Sequence, residues 1–270
     1  MPAPIASLWT GSDLRWLDRL SLASFVARGH PVTLYHAGDM THVDVDGVTL
    51  AHVLDVYPMA ETLLEKVTPT VFADLFRLSM VEKTGAIWVD TDVLCLREFT
   101  LQDGYLLGYE SDTTINNCVL GMPKASPALQ LLLERVNDPD LFPEWLNHRY
   151  RKIALKAVKG AASPLLAAAD AVPNVFGPLA VTWALKTTGE AKYAKPKSAL
   201  NPVHWSMADI YFNPYGGVDG WLDENTLAVH LYASRIRAAH MRNGPFAGSF
   251  LHTFASEIGF ELGPDLTRHA

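Results

Sequence analysis

Between residues 68 and 94 the hydrophobic pattern changes period once. Val71, Leu75, Leu78 and Val81 recur at three- and four-residue spacing, which predicts a helix with one core-facing stripe, while Asp74 and Arg77 share another face. Thr68 can cap this helix, Pro69 suits its first turn, and Lys83 and Gly85 mark its end. The run Ala86, Ile87, Trp88, Val89 then predicts a short strand covered on both faces. Asp90 and Asp92 stand where that strand leaves the sheet.

The same reading extends along the chain. Residues 5–9 predict a first strand, followed by a helix capped by Ser12 or Asp13 that carries Leu14, Leu17, Leu20 and Leu22 to about residue 28. Gly29 closes it, and residues 32–36 form a second strand, giving a β-α-β opening. Asp44, Val45, Asp46 before Gly47 predict a hairpin turn, and residues 60–66 a helix. Residues 106–110 and 118–122 read as strands flanking a polar loop, 111–117. Helices follow at 127–136 and 144–158 and in the alanine-rich stretch from 161, with Gly177-Pro178 opening one that ends near Lys186. Asp138, Pro139, Asp140 predict a loop, residues 199–215 strand and loop, 227–232 the last strand, and 247–258 a terminal helix packed through Phe250, Leu251, Phe254 and Ile258. The class is α/β, a Rossmann-like mixed sheet flanked by helices, in one domain spanning 1–270.

Composition narrows the function. With 270 residues, 49% of them hydrophobic, the chain can bury a good core, and a net charge of −7 argues against a general nucleic-acid binder. Cys95 and Cys118 both lie in apolar runs and read as reduced core thiols. The first residues lack a basic region followed by a long apolar stretch, and no window approaches eighteen uninterrupted apolar residues. A cytoplasmic protein, with at most peripheral membrane contact, is therefore expected.

Two carboxylates at the carboxyl end of a central strand occupy the edge where open α/β folds place ligands, and residues two apart can reach one ion. Their hard oxygens favour Mg²⁺ or Mn²⁺, which would carry a phosphate. The triplet alone is weak, since Asp44-Val45-Asp46 and Asp138-Pro139-Asp140 repeat it in turn contexts. Trp9, at the end of the first strand, can stack on a nucleobase. Asn116 and Asn117 can hydrogen-bond sugar hydroxyls, and His204, Trp205, Asp209, Tyr211 and Phe212 set aromatics beside polar groups. His230 ends the last strand, and Arg235 and Arg237 follow, with guanidinium forks suited to a diphosphate.

The segment ADLFRLSMVEKTGAIWVDTDV resembles the DXD segment of glycosyltransferase family 32 and its relatives, including capsule and lipopolysaccharide sugar transferases and the clostridial glucosylating toxins. Ala73, Asp74, Arg77, Gly85, Trp88, Asp90 and Asp92 match that pattern, and Ala86 replaces its second glycine. SLWTG and the late His230-Leu231-Tyr232 echo further family segments, the last with Tyr232 where Trp is usual. The resemblance implies a GT-A fold, with 1–125 as the nucleotide-sugar half and 126–270 the acceptor side. It implies a UDP-sugar donor, Mn²⁺ or Mg²⁺ on Asp92 and His230, a glycan or other hydroxyl acceptor and a retaining hexose transfer, as in bacterial surface polysaccharide synthesis. Trp9, Thr10, Asp74, Arg77, Asp90, Ser234 and Arg235 would then surround the donor, and Asn116 and Asn117 the acceptor. Asp90 and Asp92 serve catalysis, and Glu110, Asp112 and Asp209 are candidates to orient the acceptor. Two rival readings remain at this stage: an aspartate-nucleophile phosphatase, and a non-catalytic nucleotide-sugar binder.

Overall fold

The computed structural model describes residues 2–138, 140–172, 174–263 and Leu266. Among the described residues there are eight strands, β1 (Ile5–Trp9), β2 (Val32–His36), β3 (Val48–His52), β4 (Ile87–Val89), β5 (Val93–Cys95), β6 (Leu106–Tyr109), β7 (Ile115–Gly121) and β8 (Ala228–His230), with helices after β1, β3, β7 and β8. The main sheet runs in the order β3-β2-β1-β4-β7-β6, and β5 pairs with β8 in a second, two-stranded sheet. It is a mixed sheet: β1 and β2 are parallel, with Trp9 opposite His36, whereas β6 and β7 are antiparallel. By contact density the chain forms two compact units. The first comprises Met1–Ala51, Val89–Thr100 and Lys195–Ala270, and the second His52–Trp88 and Leu101–Ala194.

In the first unit α1 (Trp16–Ala27) follows β1. Its start lies later than Ser12 or Asp13, because Arg15 is the N-cap and its backbone N–H is taken by the Asp18 carboxylate at 3.0 Å. Gly29, at φ 82, turns the chain out of α1 in a left-handed conformation that a side chain would strain. Residues 199–215 are not the expected strand. They form α8 (Lys197–Leu200) and a 3₁₀ stretch, Trp205–Phe212, kinked at Met207. Ala208, Tyr211 and Phe212 are its buried positions, and that spacing is helical; the aromatic content misled because aromatics also favour strands. α9 (Ala238–Asn243) precedes α10 (Phe250–Glu257), which sets Leu251, Phe254 and Ala255 into a core with Trp16, Leu17, Leu20 and Tyr211. The terminal apolar face is therefore a dry contact, as its pattern implied.

In the second unit α2 (Ala60–Leu64) leads to α3 (Pro69–Thr84). Thr68 Oγ1 accepts the Val71 N–H, Pro69 occupies the first turn, and Gly85 ends the helix at φ 71. The buried stripe is wider than the four positions read from sequence, because Phe72, Phe76 and Met80 are also fully covered. Ile87 and Trp88 of β4 are buried as well, and Phe76 meets Trp88 edge-on at 6.2 Å. Four further helices follow: α4 (Pro127–Val136), α5 (His148–Ala157), α6 (Pro164–Ala171) and α7 (Pro178–Thr187). α5 begins at His148 rather than Glu144 because Asn147 caps it, its Oδ1 taking the Tyr150 N–H at 3.0 Å. Asn116 and Asn117 lie in β7, not in a loop, and both are buried. Their amides have protein partners, which is how polar residues sit in a covered strand. Of the triplet Asp138-Pro139-Asp140, Pro139 lies outside the described residues, and Asp138 and Asp140 are joined by an N–H to carboxylate bond of 3.0 Å, as in a turn.

Both cysteines are buried and free, and burial pushes the Cys95 thiol up to about 12, which keeps it protonated and inert. No described helix is long and apolar enough to cross a membrane.

Glu190 is a fixed point of the second unit. Its buried carboxylate accepts from Tyr105 Oη, Ser126 Oγ (2.9 Å), the Ala128 N–H (2.5 Å) and Thr188 Oγ1 (2.8 Å). Burial pushes its pKa up, but these donors outweigh it and the net shift is downward. A depressed folded value stabilises the native state above the ordinary carboxylate pKa of 4.5, and that contribution is lost as pH falls through the folded value. Glu190→Gln, which swaps one acceptor for a donor, is expected to cost about 1–3 kcal/mol at pH 7. Urea unfolding across pH should show the wild-type advantage shrinking below the free carboxylate range; a pH-independent gap would remove ionisation from the account.

Candidate metal and phosphate site

β4 ends in Asp90, and the chain turns through Thr91 and Asp92 into β5, which pairs with β8 so that Val93 lies opposite His230. This register brings the late histidine to the two aspartates from the far end of the chain. Asp90, Asp92 and His230 each offer one ligand atom, and those atoms all lie within 4.8 Å of one another. Two carboxylate oxygens and an imidazole nitrogen suit a divalent ion, Mn²⁺ accepting the nitrogen more readily than Mg²⁺ does.

The end of β8 and the turn after it contact Asp92 three times. The Leu231 N–H donates to the Asp92 carbonyl at 2.9 Å, the Ala233 N–H to Asp92 Oδ2 at 2.7 Å, and His230 Nε2 lies 3.3 Å from Oδ1. Between them Tyr232 is held in a left-handed conformation, φ 52 and ψ 58, that a bulky residue seldom adopts. Its ring centroid is 3.8 Å from that of His230, so the strained turn lays one ring on the other. Burial raises the Asp92 pKa, but His230, the Ala233 N–H and the charge of Arg15 together outweigh it, and the group is held below its ordinary value. Asp92 is therefore ionised at neutral pH, the state a metal ligand needs.

From the other side the loop is held by α1. Thr91 Oγ1 donates to Asp18 Oδ1 at 2.9 Å, and Asp18 has no solvent exposure. The same carboxylate receives the Arg15 fork, Nε to Oδ2 at 2.6 Å and Nη2 to Oδ1 at 2.8 Å. The Arg15 guanidinium carbon stands 5.5 Å from the Trp9 ring centroid. Trp9 is half-buried at the end of β1, with its Nε1 buried and lacking a hydrogen-bond partner among the described residues. Gly11 permits that placement, since a Cβ there would stand 2.9 Å from Trp9 Nε1. Arg15, Asp18, Thr91 and Tyr232 were not read as site residues. An arginine three before an aspartate at a helix start was the available signal, but nothing local tied it to Thr91.

The other candidates in this unit are placed as follows. Thr10 follows Trp9, half-exposed, and Ser234 and Arg235 lie exposed in the turn Ala233–Arg235. Arg235 stands over the exposed Trp205 ring, 4.8 Å from its centroid. Asp209 is engaged by Arg237 Nε at 2.7 Å and lies 3.7 Å from His240 Nε2.

The second unit holds its own polar cluster. Asp74 and Arg77 are both buried, with Arg77 Nη2 3.1 Å from Asp74 Oδ1. Asn117 Nδ2 donates to the same oxygen at 2.9 Å, Arg77 Nη1 donates to the Asn117 carbonyl, and the guanidinium covers Trp88 at 4.7 Å. The Asp74 carboxylate lies against Gly177, the N-cap of α7, where a Cβ would stand 2.9 Å from Oδ2. A negative charge there faces the positive end of the helix. Asn116 Nδ2 donates to Glu110 Oε2 at 2.5 Å, and its Oδ1 accepts the Cys118 N–H at 2.7 Å. Asp112 is exposed.

No protein-family model matches the chain, and no curated protein matches it. Among solved structures, one titled "PaToxG Glycosyltransferase" aligns with 69% of this chain and 69% of its own length, at 14% identity and a TM-score of 0.44. Similarity at that level transfers no activity.

Proposed function

We propose that the protein is a metal-dependent glycosyltransferase of GT-A type that moves a hexose from a UDP-sugar to a hydroxyl acceptor with retention of configuration. The observation that carries this reading is the cluster of Asp90 and Asp92, just after β4, with His230 at the end of β8, Asp92 being held by the Leu231 and Ala233 N–H groups and by His230. The mixed α/β sheet and the DXD-like segment support it. Asp92 and His230 would hold the ion, and Asp90 would hold the donor's ribose or the metal through water. A bound Mn²⁺ or Mg²⁺ supplies Lewis-acid stabilisation of the departing diphosphate. The chain's own contribution is to keep Asp92 ionised and oriented, to place Trp9 for the base, and to offer Ser234 and Arg235 to the phosphates. The acceptor reading for surface polysaccharide synthesis, and the roles of Asn116, Asn117, Glu110 and Asp209 in binding it, belong to the same proposal.

The phosphatase reading fares worse on chemistry. A phosphomonoester's leaving alkoxide needs a proton donor, and an Asp92 held ionised is a poor one. A panel of nucleotide sugars assayed for Mn²⁺-stimulated UDP or GDP release tests the transferase reading. Release from none of them, with phosphate freed from simple monoesters instead, would replace it.

Trp9→Ala is expected to weaken binding of both uridine and UDP by about 1–3 kcal/mol if the indole stacks on the base. Titration calorimetry measures this, and equal affinities in wild type and variant would remove Trp9 from the site.

A further inference from the structure

We infer that Arg15 is a phosphate-binding residue, a cation held ready at the N-cap of α1 for the diphosphate of a nucleotide; the inference rests on the nucleotide-sugar reading and deepens it.

Three features of the geometry point this way. First, the guanidinium is anchored as a fork whose Nε and Nη2 both go to Asp18, an acceptor with no solvent exposure, while the Arg15 side chain itself is 44% exposed. Such an arrangement leaves Nη1 outside the fork, on a partly exposed side chain with little rotamer freedom left to lose. Second, Asp18 is shared, for it also accepts from Thr91 between the two candidate metal ligands. One buried carboxylate thus sets the positions of the Asp90-Thr91-Asp92 loop and of the cation together. Third, Arg15 stands over Trp9, its guanidinium carbon 5.5 Å from the ring centroid.

A positive group therefore lies between an aromatic ring with an unpartnered N–H and a cluster built for a divalent cation. The ligand chemistry that satisfies all three is a flat base joined to two phosphates. Asp18 also accepts the Arg15 N–H at 3.0 Å and so caps the helix start, but that cap does not need the Arg15 side chain, which the fork holds beside an indole. Asp18 is then a positioning residue, acting through Arg15 and Thr91 rather than on a ligand.

The test is titration calorimetry with UDP and uridine in chelator, so that no divalent ion contributes, on wild type and Arg15→Gln. Loss of a charge-assisted bond predicts about a tenfold to hundredfold weaker UDP affinity in the variant, with uridine affinity unchanged. Equal weakening of both ligands, or of neither, would overturn the inference. Should the variant fail to fold with the buried Asp18 charge left without a counter-ion, wild-type protein serves: phenylglyoxal modification of Arg15, read by peptide mass spectrometry, should be blocked by UDP and not by uridine. Modification unaffected by UDP overturns the assignment. Wild-type protein that binds no UDP with or without Mn²⁺ overturns the nucleotide reading and this one with it, whereas UDP binding indifferent to Arg15 overturns this one alone.

Discussion

Asp92→Asn should lower Mn²⁺ affinity, measured by calorimetry without donor, by at least about 100-fold and abolish Mn²⁺-stimulated UDP release. The amide has the same shape, so its oxygen can still accept the Ala233 N–H and its NH₂ can face His230 Nε2. What disappears is the negative charge, and an ion weakly held by Asp90 and His230 alone cannot offset the charge of a leaving diphosphate. The fold should survive, because no group is left buried without a partner. Unchanged metal affinity together with unchanged release would remove Asp92 from the site.

Arg77→Ala is expected to destabilise the protein by about 3–5 kcal/mol, as loss of one member of a buried ion pair typically does. The charge of Asp74 would remain buried against Asn117 and the α7 N-terminus, and the Asn117 carbonyl and the Trp88 face would lose the guanidinium. Arg77→Met combined with Asp74→Asn should cost less than Arg77→Ala alone, because no unpaired charge is left. Urea unfolding of the set measures both numbers. A loss below about 1 kcal/mol for Arg77→Ala would mean that the pair does not support the second unit. Donor contact by Asp74 and Arg77 is a separate proposal, tested by the donor KM of Arg77→Lys, which keeps the charge and gives up the fork.

Much of the scaffold was legible because its signals are local. α3 was bounded correctly by Thr68, Pro69 and Gly85, since a cap, a fixed φ and a left-handed turn each act within a few residues. β1, β2 and α4 were equally readable from strand-forming runs and a proline-marked start. The reading failed where composition and environment part company. Asn116 and Asn117 look like loop residues until Glu110, Asp74 and the Arg77 guanidinium supply partners inside a strand. Trp205 to Phe212 look like strand until the spacing of Ala208, Tyr211 and Phe212 is weighed above their β propensity.

By itself the sequence determined the α/β class, the helix and strand that deliver Asp90 and Asp92, and the residue types able to hold a hard divalent ion. The resemblance had already paired His230 with Asp92, and the β5–β8 register is how they meet; only the tertiary structure decided that Tyr232 is strained against His230 and that Asp18 ties Arg15 to Thr91. Caps and periodicities are written in neighbouring residues, whereas a strand register and a shared buried carboxylate join positions tens to hundreds of residues apart, and no local pattern encodes which of them meet.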